Sequence, residues 1–144
     1  MWSDILLAAE HAHLVRLALW GGASIVVGSL MIATLAVRRA RSPLLRHFAI
    51  QIAAWGVVDL VMMLARWRVL ALRDLAGATR LDRFVWFSTG LDLGLVVVGV
   101  TLAITGWMLG RRLGVVGAGI GVVVQGLALA VLDLALAAQI GRVA

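Results

Sequence analysis

The 144-residue sequence contains no cysteine, no lysine and a single proline. The missing cysteine removes disulfides, thiolate metal sites and cysteine nucleophiles together. The missing lysine leaves arginine as the source of all thirteen basic residues. A pI of 11.8 would suit nucleic acid, but these arginines gather at the ends of apolar runs, where guanidinium groups anchor helices to lipid headgroups. Anionic lipid is therefore the expected partner of the charge, and nucleic acid is not. Acids are also scarce, seven in all. The opening MWSDILLAAE carries acids and no basic segment, so it does not read as a cleaved signal peptide.

What is present in abundance is hydrocarbon. Hydrophobic residues make up 63% of the chain, with a mean hydropathy of +1.07, against roughly 45–50% in soluble domains. Since roughly 20 apolar residues make one membrane span, four spans with short connections use the whole chain as one domain. The expected fold is an all-α, four-span transmembrane helix bundle, with spans at 14–37, 48–65, 84–109 and 113–140. A helical pattern starts near Ser3 as N-cap and persists through Gly21-Gly22, because lipid does not admit exposed non-helical backbone. Ser42-Pro43 reads as an N-cap followed by proline at the first helical position, which makes the first connection short. Helix two is expected to run on to about Leu75, to stop at Ala76-Gly77-Ala78, and to be followed by a capping box from Thr79 to Asp82. Small residues at Gly99, Ala103 and Gly106, and a GxxxG at Gly117/Gly121, predict close helix packing.

The polar residues inside these runs form a pattern. Gln51–Leu60 reads QIAAWGVVDL and Gln125–Leu134 reads QGLALAVLDL, two copies of a Gln-x7-Asp-Leu frame. Together with the Arg38-Arg39 and Arg111-Arg112 pairs, they are consistent with a duplicated two-helix hairpin, its halves parallel about the membrane normal. Gln51, Trp55, Asp59, Met62 and Arg66 lie along one helical stripe. By helical rise, Asp59 stands roughly 20 Å from Arg46, Asp92 roughly 28 Å from Arg111 and Asp133 roughly 31 Å from Arg112, so all three tend towards one end of the bundle, as does Arg16. Flanking arginines do not set the membrane orientation: the first helix places the N-terminus outside, and the second connection then exposes five arginines on the same side.

A charge at the bilayer centre costs roughly 2.5–3.5 kcal/mol on insertion scales, so these side chains are expected to face one another. The candidate ligand-binding residues are Asp59, Asp133, Asp92, Arg16, Arg66, Gln51, Gln125 and Trp55. They describe a polar chamber for a proton, cation or small ligand, centred on Asp59, with Asp133 facing it and Gln125 level with Gln51. Two carboxylates brought together there cannot both ionise cheaply, so one is expected to hold a proton unless Arg16 or Arg66 reaches it. The alternative is an accessory or scaffold subunit of a membrane complex, homo-oligomeric or bound to another membrane protein, in which the same groups are interhelical glue.

His11 and His13 point to different sides of a helix and His47 lies at the opposite edge, so neither metal nor any cofactor is expected; His13 is left as an interfacial histidine with a pH-sensing role near Arg16. Gly90-Leu-Asp92-Leu-Gly94 lacks the local motif of an intramembrane aspartyl protease, and no catalytic residue is assigned. Ala53–Gly56 (AAWG) after Gln51, Leu91–Gly94 (LDLG), and Gln125-Gly126 with Leu132-Asp133-Leu134 resemble the recurrent segments of a bacterial family of small four-helix membrane proteins of unknown function. The resemblance covers spans two to four. It implies a multi-pass protein of the bacterial inner membrane and no particular activity.

Overall fold

The computed structural model describes residues 2–142 and contains four α-helices: α1 (Trp2–Val37), α2 (Pro43–Trp67), α3 (Leu75–Met108) and α4 (Leu113–Ile140). There is no strand among the described residues. All four helices are long and apolar enough to cross a membrane. In such a medium the helix is the form that satisfies every backbone N–H and C=O within one segment, and large apolar side chains such as Leu19, Val97 and Val131 stand exposed on the outer surface.

Ser42 caps α2 as expected, accepting from the Leu45 amide at 3.4 Å with Pro43 in the first turn. Three expected boundaries are corrected. The first helix already includes Trp2, so Ser3 lies inside its first turn. Helix two stops at Trp67 and does not reach Leu75, because the 68–74 connection folds back to bring Arg73 onto the buried Glu10. The third helix begins at Leu75, running straight through Ala76-Gly77-Ala78. Asp74 supplies the cap, its Oδ1 accepting from the Gly77 amide at 2.7 Å, while Thr79 donates to the Leu75 carbonyl inside the helix. The turn into α4 contains Gly110 at φ +80° and Arg111 at φ +54°. Arg111 holds this unfavourable conformation with its guanidinium 5.0 Å from the Trp107 ring centroid.

Glycines set the helix spacing. Lipid tails are as apolar as leucine, so helices associate through close van der Waals contact, which small residues permit. In the first hairpin a Cβ at Gly21 would lie 2.9 Å from the Gly56 carbonyl oxygen, and one at Gly56 would lie 2.5 Å from that of Gly21. The second hairpin repeats the device with Gly99 and Gly119, at 2.7 and 2.6 Å, though not at the spacing of the Gln-x7-Asp-Leu copies. Helix four touches all three others. Its Gly117 and Gly121 meet Leu44 and Gln51 of α2, and its Gly119 and Gly126 meet Ala103 and Asp92 of α3. Glycines on two sides of one helix thus make α4 the central element. Leu6 and Ala9, Leu81 and Val85, and Leu136 and Ile140 close one end of the bundle with side chains from α1, α3 and α4.

Candidate functional site

The buried stripe of α1 runs Leu6, Glu10, His13, Leu17, Gly21, Ser24, Gly28, at intervals of three and four. A regular apolar and small-residue stripe with two ionisable members carries those members inside with it. Glu10 is 2% exposed and His13 1%. Each finds a partner on another element.

Deepest in the bundle is a three-residue chain. Trp20 Nε1 donates to Gln125 Oε1 at 3.1 Å, and Gln125 Nε2 donates to both carboxylate oxygens of Asp59 at 2.8 and 2.7 Å. Gln125 is 0% and Asp59 1% exposed. The close contact of α2 and α4 at Gly121 decides this pairing. Gly121 lies under the Gln51 side chain, so Gln125, one turn further along α4, reaches Asp59. Gln125 is therefore not level with Gln51, and Asp133 does not face Asp59 as a partner.

Asp133 pairs with His13 instead, Nε2 to Oδ1 at 3.4 Å, within ion-pair reach but without hydrogen-bond geometry. On its other side His13 Nδ1 lies 3.3 Å from the Leu132 carbonyl oxygen. A carbonyl oxygen can only accept, so that contact places the ring hydrogen on Nδ1. Asp92, from α3, is buried with Oδ2 unpartnered, within electrostatic reach of both Asp133 and Asp59. Arg66 approaches from α2, close enough to feel Asp133 and Glu10; its Nη2 is buried without a hydrogen-bond partner, and its guanidinium carbon lies 5.3 Å from the Phe84 ring centroid.

At the outer edge Arg73 forks onto Glu10, Nε to Oε2 at 2.9 Å and Nη2 to Oε1 at 2.7 Å. The bonds from Glu10 raise the Arg73 guanidinium above its ordinary value, since they favour the charged form. Beside this pair opens a cavity of about 250 Å³ to which Arg66 and Arg80 also contribute.

The structure thus brings Asp59, Gln125, Asp133, Asp92 and Arg66 towards one end of the bundle. It leaves out the others. Arg16 is exposed and lines a groove on the outer face with Leu19, Trp20 and Val131. Gln51 and Trp55 are half-buried, and Gln51 packs on Gly121. His11 is exposed against Trp67, with ring centroids 4.9 Å apart, and His47 lies beside the Pro43 carbonyl. Among the described residues no group of three His, Asp or Glu side chains gathers to hold a metal ion. Sequence reasoning missed Glu10, Trp20, Arg73 and Arg80, and set His13 at the interface. For Glu10 and His13 the signal was available, since both share the spacing of Leu6, Leu17 and Gly21. Nothing local marks Arg73, whose role depends on the fold of the 68–74 connection.

No curated protein and no solved structure matches the chain. A family model does, over residues 16–134, which takes in Asp59, Asp92, Gln125 and Asp133. This four-helix chain belongs to the family of unknown function DUF6992.

Proposed function

We propose that the protein holds an exchangeable proton within the membrane at the His13–Asp133 pair, in a polar chamber that extends to Asp92 and Asp59. The observation that carries this reading is the position of the His13 ring between two acceptors, the Leu132 carbonyl oxygen at 3.3 Å and the Asp133 carboxylate at 3.4 Å. A neutral imidazole has one N–H. With that hydrogen on Nδ1, the Nε2 lone pair would face an anionic oxygen at a site with little water, which is repulsive. One additional proton converts the repulsion into attraction: on His13 it makes a charge-assisted contact to the carboxylate, and on Asp133 an O–H that donates to Nε2. Asp92, whose Oδ2 has no partner, offers a second station between the pair and Asp59. The local excess of carboxylates suits a proton or a small cation better than an anion.

The test compares wild type with Asp133→Asn in liposomes, counting bound protons during a pH titration. Asn donates to Nε2, so the fold is kept while the extra proton is not needed. The expected result is one proton fewer per molecule; an equal count in the two proteins refutes the reading.

A second reading, an accessory subunit that docks on another membrane protein, is favoured by Gly90 and Gly94. These lie one turn apart on α3, and a Cβ at either would meet nothing within 4 Å. They offer an outward small-residue contact of the kind membrane helices use. A stable heteromeric partner retained in mild detergent, and lost in Gly94→Leu, would support it.

A further inference from the structure

We propose that the cavity between α1, the 68–74 connection and the start of α3 is a phosphate-binding site, distinct from the proton-holding pair. Its charged lining is Glu10, Arg66, Arg73 and Arg80, with Leu81 and Phe84 as apolar wall. The only acid among them is spent: both oxygens of Glu10 are taken by Arg73, at 2.9 and 2.7 Å. Three guanidinium groups against one carboxylate leave two positive charges without a counterion in the lining. One belongs to Arg66, which Asp133 attracts from outside the lining but whose buried Nη2 has no hydrogen-bond partner. A buried charged donor left unpaired is costly, and in native structures such a group calls for a ligand or water to satisfy it. The Phe84 ring, 5.3 Å from the guanidinium carbon, holds the Arg66 fork in orientation. The second free charge is Arg80, exposed at the cavity rim.

Two planar forks beside an occupied third match a tetrahedral oxyanion. Guanidinium binds phosphate oxygens bidentately, and the several oxygens of a phosphate can serve both open forks where a single carboxylate would occupy one. The volume, about 250 Å³, accommodates a phosphate headgroup. The site lies where α2 ends and α3 begins, the level at which Trp67 stands exposed and a lipid phosphate would sit. The phosphate can belong to an anionic lipid or to a soluble molecule, and the two sources are separable by experiment.

The purified protein is assayed in two arms: native mass spectrometry with phosphatidic acid against phosphatidylcholine, and thermal stability in inorganic phosphate against chloride at equal ionic strength. Arg66→Gln and Arg80→Gln are compared with Arg83→Gln, an exposed arginine outside this lining. Loss of one charge-assisted contact should weaken binding about tenfold or more, with Arg83→Gln close to wild type. Should Arg66→Gln fail to insert, the rim substitution Arg80→Gln carries the test alone. Retention of phosphatidic acid assigns the site to a lipid headgroup, and stabilisation by inorganic phosphate alone assigns it to a soluble phosphate. If neither phosphate binds, or if Arg80→Gln and Arg83→Gln weaken binding equally, there is no such site. The proton count is taken on wild type and Asp133→Asn, both of which keep Arg66, Arg73 and Arg80, so the two proposals are tested separately.

Discussion

Gln125 of α4 donates through one nitrogen to both carboxylate oxygens of Asp59 on α2, at 2.8 and 2.7 Å, while its own oxygen accepts from Trp20 of α1 at 3.1 Å. Three helices are therefore tied at a single amide. Because the site is buried, the tie matters more for what its loss would leave behind than for its own net strength. Removing one partner orphans a buried group at about 1–3 kcal/mol, more if it is charged, whereas replacing both with apolar side chains is nearly neutral.

Gln125→Leu should accordingly destabilise the protein by about 2–3 kcal/mol, since it strands the Asp59 carboxylate. Asp59→Leu should cost somewhat less, stranding only an amide. The double substitution should recover most of the loss. Thermal unfolding in detergent, run as a double-mutant cycle, measures the coupling; purely additive losses would show that the two residues are independent.

Asp92 is predicted to behave in the opposite way from Asp59. Its Oδ2 has no partner, and the charges of Asp133 and Asp59 act on it. Replacing a buried carboxyl group that lacks a partner by a side chain of similar volume removes a cost, so Asp92→Leu should raise the melting temperature, by about 1 kcal/mol or more in equivalent stability. A lower melting temperature would mean that Asp92 is better satisfied than its geometry indicates.

The Glu10–Arg73 pair should respond asymmetrically. The Glu10 side chain is 3% exposed and that of Arg73 26%. Arg73→Gln leaves a carboxylate stranded inside and should cost about 2–3 kcal/mol; Glu10→Gln leaves a guanidinium that can turn to water and should cost about 1 kcal/mol. The sign of the pH effect follows from the raised value at Arg73. A cation stabilised on folding contributes fully below its unfolded value and loses that contribution only as pH rises through the folded one. Both lie above any working range, so the arginine adds no pH dependence to the pair. Stability curves of the two variants, taken at one neutral pH, provide the check, and equal losses would contradict the burial argument.

Glycine contacts predict a sharp contrast within one Gly-Gly step. A Cβ at Gly21 would meet the Gly56 carbonyl at 2.9 Å, while one at Gly22 meets nothing within 4 Å. Gly21→Leu should prevent the first hairpin from closing, and Gly22→Leu should be tolerated or slightly stabilising through better helix propensity. Gly119→Leu, against the Ala103 amide and the Gly99 carbonyl at 2.6 Å, should do the same to the second hairpin. Monodisperse yield on size exclusion separates the outcomes, and a well-behaved Gly21→Leu protein would disprove the close approach.

The amino-acid sequence by itself determined the four helices, the Ser42-Pro43 start of α2 and the placing of Asp59, Asp92, Gln125 and Asp133 inside them. Each of these is a local consequence of hydrophobic run length, capping chemistry, or the expense of a charge in hydrocarbon. It also marked the glycines of α4, because a GxxxG pattern is visible in one dimension. Which polar group meets which was decided only in three dimensions. The identical frames around Gln51 and Gln125 suggested like facing like, yet the seating of Gly121 on Gln51 put Gln125 against Asp59 and left Asp133 to His13. The fold-back of the 68–74 connection, which creates the Glu10–Arg73 pair and the adjoining arginine cavity, has no local signature. It exists because Glu10 is carried inward by the α1 stripe and a buried carboxylate requires a cation, a demand that only the assembled bundle imposes.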